Sequence, residues 1–268
     1  MKSHPVHRIA GDELPDAVGA YYEAADAGRL NDAVAQLAAN VLVATQRPGG
    51  QEVDPRWILR GREAVREWLQ QRAQSPLRHD PVLCVTDGRC CMVEGLMRRR
   101  DSGEAAITYV AGFRIGTEGI ERHLAYATET VAPAPRTDDR KTGDARKAID
   151  GYFDALDKGR FEEAADQFSE DVMYSHPPYR HTGITSNRRV VFNSREELLA
   201  AFRERGKTEF RHRVLEFIQR GPNALFELVV EDLPGGGTGG SICSVGLDDE
   251  GRVKRYVANY TEPAVSQS

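Results

Sequence analysis

The sequence predicts an α+β chain made of two tandem domains of one topology: helix, helix, strand, helix, then four antiparallel strands in each. Three observations predict it. Residues 16–47 lie over 147–178 at an offset of 131, with nine of 32 positions identical: Ala17, Tyr21, Ala24, Asp26, Gly28, Arg29, Ala33, Gln36 and Val41. Downstream the match continues at an offset of 133, which sets Arg62-Glu63 on Arg195-Glu196, His79 on His212, Glu94 on Glu227 and Thr128-Glu129 on Thr261-Glu262. Between the copies, residues 132–144 read APAPRTDDRKTGD, rich in proline and charge, the composition of a linker. A period this long marks a duplicated domain, because solenoid repeats run to roughly 20–50 residues. The boundaries are therefore 1–131, a linker over 132–144, and 145–268.

Each element has a local cause. In the second copy Ile149, Tyr152, Phe153 and Leu156 fall on one apolar helical face. Gly159 follows, and Gly28 in the first copy, where a helix end favours a residue that tolerates positive φ. A short second helix carries Leu30, Val34 and Leu37, or Phe161, Ala165 and Phe168, and a strand follows over 41–45 or 172–176. The third helix starts near 61 or 194, where Ser194 and Glu197 form a capping box. Four strands complete each copy, near 78–86, 89–100, 104–116 and 119–131, and near 209–219, 224–232, 240–248 and 252–262. Asp87-Gly88 reads as a two-residue hairpin turn.

Bulk properties exclude several classes. The formal net charge of −5 and pI near 5.9 give no general attraction to nucleic acid or an anionic membrane. No apolar run approaches the ~18 residues of a membrane span, and the first residues lack the apolar segment of a signal peptide. The four cysteines, Cys84, Cys90, Cys91 and Cys243, form no CxxC and no framework shared by the copies, so they read as reduced thiols of a cytoplasmic protein. Pro234–Gly240 is glycine-rich, yet it lacks the Lys-Ser/Thr ending of a phosphate loop and joins two strands; it reads as a hairpin loop.

The element order, the paired openings Tyr-Tyr/Phe-x-Ala-x-Asp-x-Gly-Arg (21–29 and 152–160), the stretch DVMYSHPP (171–178) and the helix start SREEL (194–198) resemble the NTF2-like family, in its SnoaL-like branch. The resemblance implies a cone in each copy: three helices on a strongly curved, mainly antiparallel sheet around an apolar pocket. It also implies pairing through the sheets, so that two copies in one chain make an internal pseudo-dimer, with room for a further homo-oligomer. The family includes ketosteroid isomerase, scytalone dehydratase, limonene-type epoxide hydrolases and polyketide cyclases as well as members that only bind or assemble, so fold does not select function. Its epoxide hydrolases carry an acidic residue just after the first core strand. Here that region reads Ala44-Thr45-Gln46 and Ser175-His176-Pro177, without a carboxylate.

If Asp87-Gly88 is the turn, Glu94 pairs with Pro81 and becomes a diagonal neighbour of His79 on one sheet face; the repeat puts His212 and Glu227 in the same relation. A carboxylate among Val214, Ile218, Leu225 and Val229 must be paired or have a raised pKa, which is how a general base working near neutrality is made. The competing reading is a satisfied polar pair, or a group at the sheet-to-sheet contact between the copies. Only the second copy adds His176 and the proline-stiffened loop HPPYRH (176–181). The catalytic candidates are thus His212, Glu227 and His176, with Tyr179, His181, Tyr152, Val214, Leu225 and Val229 as substrate-binding candidates. His176, His181, His212 and Glu227 are of metal-ligand type, but their spacing demands no metal. Trp57 and Trp68 read as core. The expected activity is proton transfer on a small, largely apolar molecule, as isomerisation, dehydration or cyclisation, which needs no cofactor. The alternative is a protein that binds or assembles without chemistry, its second cone filled by Phe192, Phe202 or Phe226.

Overall fold

The computed structural model describes residues 10–45, 58–72, 75–128, 143–176, 190–232 and 239–261. The first repeat runs β1 (Ala10–Gly11), α1 (Asp16–Asp26), α2 (Leu30–Ala35), β2 (Leu37–Thr45), β3 (Ile58–Arg60), α3 (Gly61–Arg72), β4 (Leu77–Thr86), β5 (Cys90–Arg99), β6 (Ala105–Gly116) and β7 (Gly119–Thr128). The second runs α4 (Ala145–Asp157), α5 (Phe161–Ala165), β8 (Phe168–His176), β9 (Val190–Phe192), α6 (Arg195–Arg205), β10 (Arg211–Arg220), β11 (Asn223–Glu231), β12 (Gly239–Leu247) and β13 (Val253–Thr261). The sheets are ordered β1-β4-β5-β6-β7-β2-β3 and β10-β11-β12-β13-β8-β9. In each, the expected four-stranded meander is antiparallel, and the first core strand lies parallel to its last strand (β2 on β7, β8 on β13). The short strands β1, β3 and β9 carry no signal the sequence patterns would find, being only two or three residues long.

The local chemistry follows the sequence closely. Gly28 and Gly159 sit at φ +70° and +75° just past α1 and α4. The Ser194 hydroxyl accepts the Glu197 N–H at 3.2 Å, while the Glu197 carboxylate reaches one residue further back, to the Asn193 N–H at 2.8 Å. Gly95 in β5 lets the Tyr109 ring lie flat across the strand, since a Cβ there would stand 2.5 Å from ring atoms. Gly95→Ala should therefore cost about 1–3 kcal/mol as an overpacked core, read in thermal denaturation; a neutral change would mean that the Tyr109 ring moves freely.

Both faces of each sheet are covered, which explains why β5 and β11 are buried almost end to end instead of alternating. The inner faces pack on helices, around Val18, Tyr21, Leu37, Val65 and Trp68 in one repeat and Ile149, Tyr152, Phe168, Leu198 and Phe202 in the other. The outer faces pack on each other: Leu83, Val85, Met92, Val110, Leu124 and Tyr126 join Ile218, Leu225 and Ile242 in one cluster that spans the repeats. Gly112 helps the sheets approach, for a Cβ there would meet the Glu227 carboxylate at 3.2 Å and Ile242 at 3.3 Å.

Buried in that contact are two ion pairs related by the repeat. Arg122 grips Glu227 bidentately at 3.1 and 2.9 Å. Arg255 grips Glu94, which also accepts from the Ser244 hydroxyl. All four charged residues are at most 6% exposed. At the rim Arg114 meets Glu216, and Arg220 meets Asp12 and the Thr86 carbonyl.

The expected pairing of His79 with Glu94, and of His212 with Glu227, is not what the structure contains. The hairpin turns on Gly88-Arg89, with the Asp87 carboxylate accepting from the Arg89 and Cys90 N–H groups, so Thr86 faces Cys91. An irregularity between Pro81 and Leu83 then shifts the ladder, setting Leu83 opposite Glu94 and His79 opposite Met97. A shift of this kind changes which face a side chain occupies. In β10 a corresponding break lies between Val214 and Phe217. Both histidines therefore point to the inner faces and both glutamates to the contact between repeats. Leu225 sits in the same outer cluster, and Val229, two residues along the strand from Glu227, shares its face; neither lines the cone.

Candidate functional site

At the inner end of each cone a histidine is held by a carboxylate from the first helix. Asp26, the last residue of α1, accepts the His79 backbone N–H at 2.8 Å and meets His79 Nδ1 at 2.8 Å. Asp157, the last residue of α4, does the same for His212, at 2.8 and 2.6 Å. The carboxylate can only accept, so Nδ1 carries a proton, and in the neutral form of each ring Nε2 is the acceptor nitrogen. Aromatic rings fix the imidazole planes: His79 stacks on Tyr22 at 4.5 Å and His212 on Phe153 at 4.6 Å. Sequence reading missed both aspartates as partners, although each stands at the Asp of the repeated opening motif.

The second cone has a ring-filled interior. Tyr174 stacks on Tyr256 at 4.6 Å and its hydroxyl bonds that of Tyr152 at 2.9 Å. Phe202 stacks on Tyr152, and Phe226 packs on Phe153 and Phe217. His176 is buried in a T-shaped contact with Tyr174, 5.6 Å between ring centroids. A run of ring contacts (His176, Tyr174, Tyr152, Phe153, His212) connects the two histidines. Val214 packs against this core. Tyr179, His181 and the Pro177-Pro178 loop lie outside the described residues, as do Trp57 and residues 132–142 and 233–238 of the linker and glycine-rich loop. The four-ligand set His176, His181, His212 and Glu227 is not assembled, because His212 and Glu227 occupy opposite faces. Among the described residues no cluster of three His, Cys, Asp or Glu is placed to hold a metal ion. Burial raises the Glu227 carboxyl pKa, as a desolvated carboxylate requires, and the Arg122 guanidinium pulls against that rise.

The first cone differs where it matters. Val43, His123 and Trp68 stand where the repeat puts Tyr174, Tyr256 and Ala201. A cavity of about 40 Å³ opens there, lined by Tyr21, Asp26, Trp68, Arg72, His79 and His123 together with Leu69, Leu77, Met97 and Ala125. The Tyr21 hydroxyl, the Trp68 indole N–H and both nitrogens of His123 are buried without a hydrogen-bond partner. His123 is 2% exposed and stacks on Phe113 at 4.4 Å. Desolvation, with His79 and Arg72 adding positive charge nearby, lowers its pKa from 6.5 to about 3, so its ring is neutral at ordinary pH. Unpartnered buried polar atoms are rare in native proteins, and four of them gather around this one void. Trp68 is thus core, as expected, and also a wall of this cavity. Nothing in the sequence pattern flagged His123; the one available signal is that the repeat changes it to Tyr256.

The profile of the SnoaL-like domain matches residues 18–123 and 149–256. No curated protein matches the chain in sequence. Solved structures similar to it each cover about one repeat. An NTF2-like protein of unknown function from Cytophaga hutchinsonii is 13% identical, covering 46% of this chain and 95% of its own, with a TM-score of 0.35. An LEH-like epoxide hydrolase from M. tuberculosis is 15% identical, covering 43% and 81%, with a TM-score of 0.35. A protein with a ketosteroid isomerase-like fold from Catenulispora acidiphila, in complex with trimethylamine, is 15% identical, covering 42% and 86%, with a TM-score of 0.35.

Proposed function

The chain belongs to the SnoaL-like family, with one family domain in each half, and on that premise we propose that it binds a small, largely apolar molecule inside a cone and moves a proton on it by cofactor-free acid/base chemistry. The reaction class is isomerisation, dehydration or cyclisation. The observation that carries this reading is the Asp26–His79 pair at the wall of the first cavity. Asp26 fixes the tautomer, His79 Nε2 takes a proton from a carbon acid, and the ring returns it to another atom of the same molecule. His212, oriented by Asp157, has the same equipment, and His176, Tyr179 and His181 remain candidates for a site at the mouth of the second cone. Glu227 enters that proposal only as a support of the contact between repeats. The free, buried state of all four cysteines accords with a cytoplasmic setting.

The test begins with a screen of small carbonyl compounds for binding, followed by NMR detection of hydrogen–deuterium exchange at the carbon next to the carbonyl. Loss of a positioned general base typically costs about 10²–10⁴-fold in rate. His79→Gln should lower exchange by that factor while leaving ligand binding in place. Exchange unaffected by His79→Gln and by His212→Gln would remove both pairs from the mechanism. A second reading, in which the second cone only braces the first, is favoured by the rings of Tyr152, Tyr174, Phe202 and Tyr256 that fill it. It predicts that His212→Gln changes stability and not rate.

A further inference from the structure

Within the first cavity the polar groups have an imbalance of sign. The Arg72 guanidinium lies over the Trp68 ring at 4.7 Å and makes no ion pair with a carboxylate among the described residues. The carboxylate that lines the cavity, Asp26, has both oxygens committed to His79. Arg100, also at the wall, spends its guanidinium on the backbone carbonyls of Ser75 and Asp26. The Trp68 N–H is a donor without an acceptor, and the Tyr21 hydroxyl is free to donate. The void therefore presents a cation and two donors beside the neutral ring nitrogens of His123, while its one carboxylate, Asp26, is bonded to His79.

We infer that the first cone takes a small organic carboxylate, whose anionic group is held by Arg72, the Trp68 indole N–H and the Tyr21 hydroxyl. This rests on the reading of that cone as the ligand site and adds the chemical class of what enters. A planar carboxylate matches the two-pronged guanidinium of the half-buried Arg72. The rest of the lining (Ala25, Leu69, Leu77, Met97 and Ala125) accepts a short apolar tail. Neutral His123 and the Asp26–His79 pair then face the carbons next to the carboxylate, where a proton is to be moved. Desolvation lowers the Arg72 pKa, and the charges of Tyr21 and Asp26 pull against that fall. The second cone lacks the set: Ala201 stands for Trp68, and the Tyr152 hydroxyl is already bonded to Tyr174.

The experiment uses the full chain and reads the indole N–H resonance of Trp68, with that of Trp57 as internal control, during titration with butanoate, butanamide, 1-butanol and inorganic phosphate. Butanoate should shift the Trp68 resonance and bind about tenfold or more tighter than butanamide, the margin expected of charge-assisted over neutral hydrogen bonds. Arg72→Gln should erase that margin by weakening butanoate alone, and Arg72→Lys, which keeps the charge without the fork, should restore part of it. Arg205→Gln in the second copy should leave it intact. Binding of butanamide or 1-butanol as tight as that of butanoate would overturn the carboxylate assignment and leave the cone as the ligand site. A Trp68 resonance moved by phosphate as strongly as by butanoate would overturn it in favour of a general anion site. No response of Trp68 to any of them, in a chain shown folded by its thermal transition, would overturn both the assignment and the reading it rests on.

Discussion

Glu94→Gln will cost about 3–5 kcal/mol of stability, because it strips the counter-charge from an arginine that cannot reach water. Arg255 is 5% exposed, and Glu94 is fully buried. Its guanidinium meets Glu94 through both terminal nitrogens and has Ser244 Oγ at 3.1 Å. A glutamine amide can accept one of these bonds but supplies no charge. Urea denaturation of the full chain measures the loss. Glu227→Gln, which strands Arg122 in the equivalent way, should cost a similar amount. Replacing Glu94 and Arg255 together by leucine and methionine should recover most of the stability, since a buried pair is itself worth little against well-packed apolar groups. A single substitution costing no more than a surface pair, under about 1 kcal/mol, would mean that water enters between the sheets.

His123→Phe will flatten the acid side of the stability curve. The sign follows from the direction of the shift. The folded chain lowers the His123 pKa from 6.5 to about 3, so folding favours the neutral ring. That preference is fully present above pH 6.5, falls away as the pH drops through 6.5, and is exhausted near pH 3. At 1.36 kcal/mol per unit, a shift of this size is worth roughly 5 kcal/mol over the window. Tyr21 at 5.3 Å, Phe113 at 4.4 Å, His79 and Arg72 surround the ring, and none offers it an anion. Phenylalanine keeps the stack on Phe113 and removes the titration. Urea midpoints taken at intervals from pH 7 to pH 3.5 should fall less steeply in the variant; parallel curves would show that His123 is already hydrated and that its environment is not the dry one described.

The topology was legible because the chain states it twice. Weak periodicities in one copy were corroborated at fixed offsets in the other, so the starts of the third helices and the meander strands fell within a few residues of those observed, although Leu37 and Phe168, expected on the second helices, open β2 and β8. Register was not legible. Strand alternation carries the face of a side chain only while the ladder is unbroken, and the irregularities at Pro81/Leu83 and Val214/Phe217 intervene between each histidine and its expected glutamate. Hydrophobicity gave no help, because a strand buried on both faces looks the same whichever way its residues point. The glutamates were nonetheless readable as groups at the sheet-to-sheet contact, the second reading of that pair, and this is where they lie. The Asp26–His79 bond joins residues 53 apart, a separation that no local pattern encodes. Two residues that line the cavity differ between the copies (His123 for Tyr256, Trp68 for Ala201), so it is the departures from the repeat, more than the repeat itself, that set the first interior apart.

The reciprocal ion pairs between the sheets have a consequence for identity. Each repeat presents one glutamate and one arginine at equivalent places, so each carries both halves of the lock. A first repeat released from its tether keeps both halves, Glu94 and Arg122, but a pair of first repeats would lose the rim contacts Arg114–Glu216 and Arg220–Asp12 and the Ser244 hydroxyl on Glu94. Nothing in the buried charges themselves distinguishes kin from self. The covalent connection adds to those unlike rim contacts by keeping the unlike neighbour permanently at hand, and this leaves the two interiors free to diverge while the buried charges between them stay equivalent.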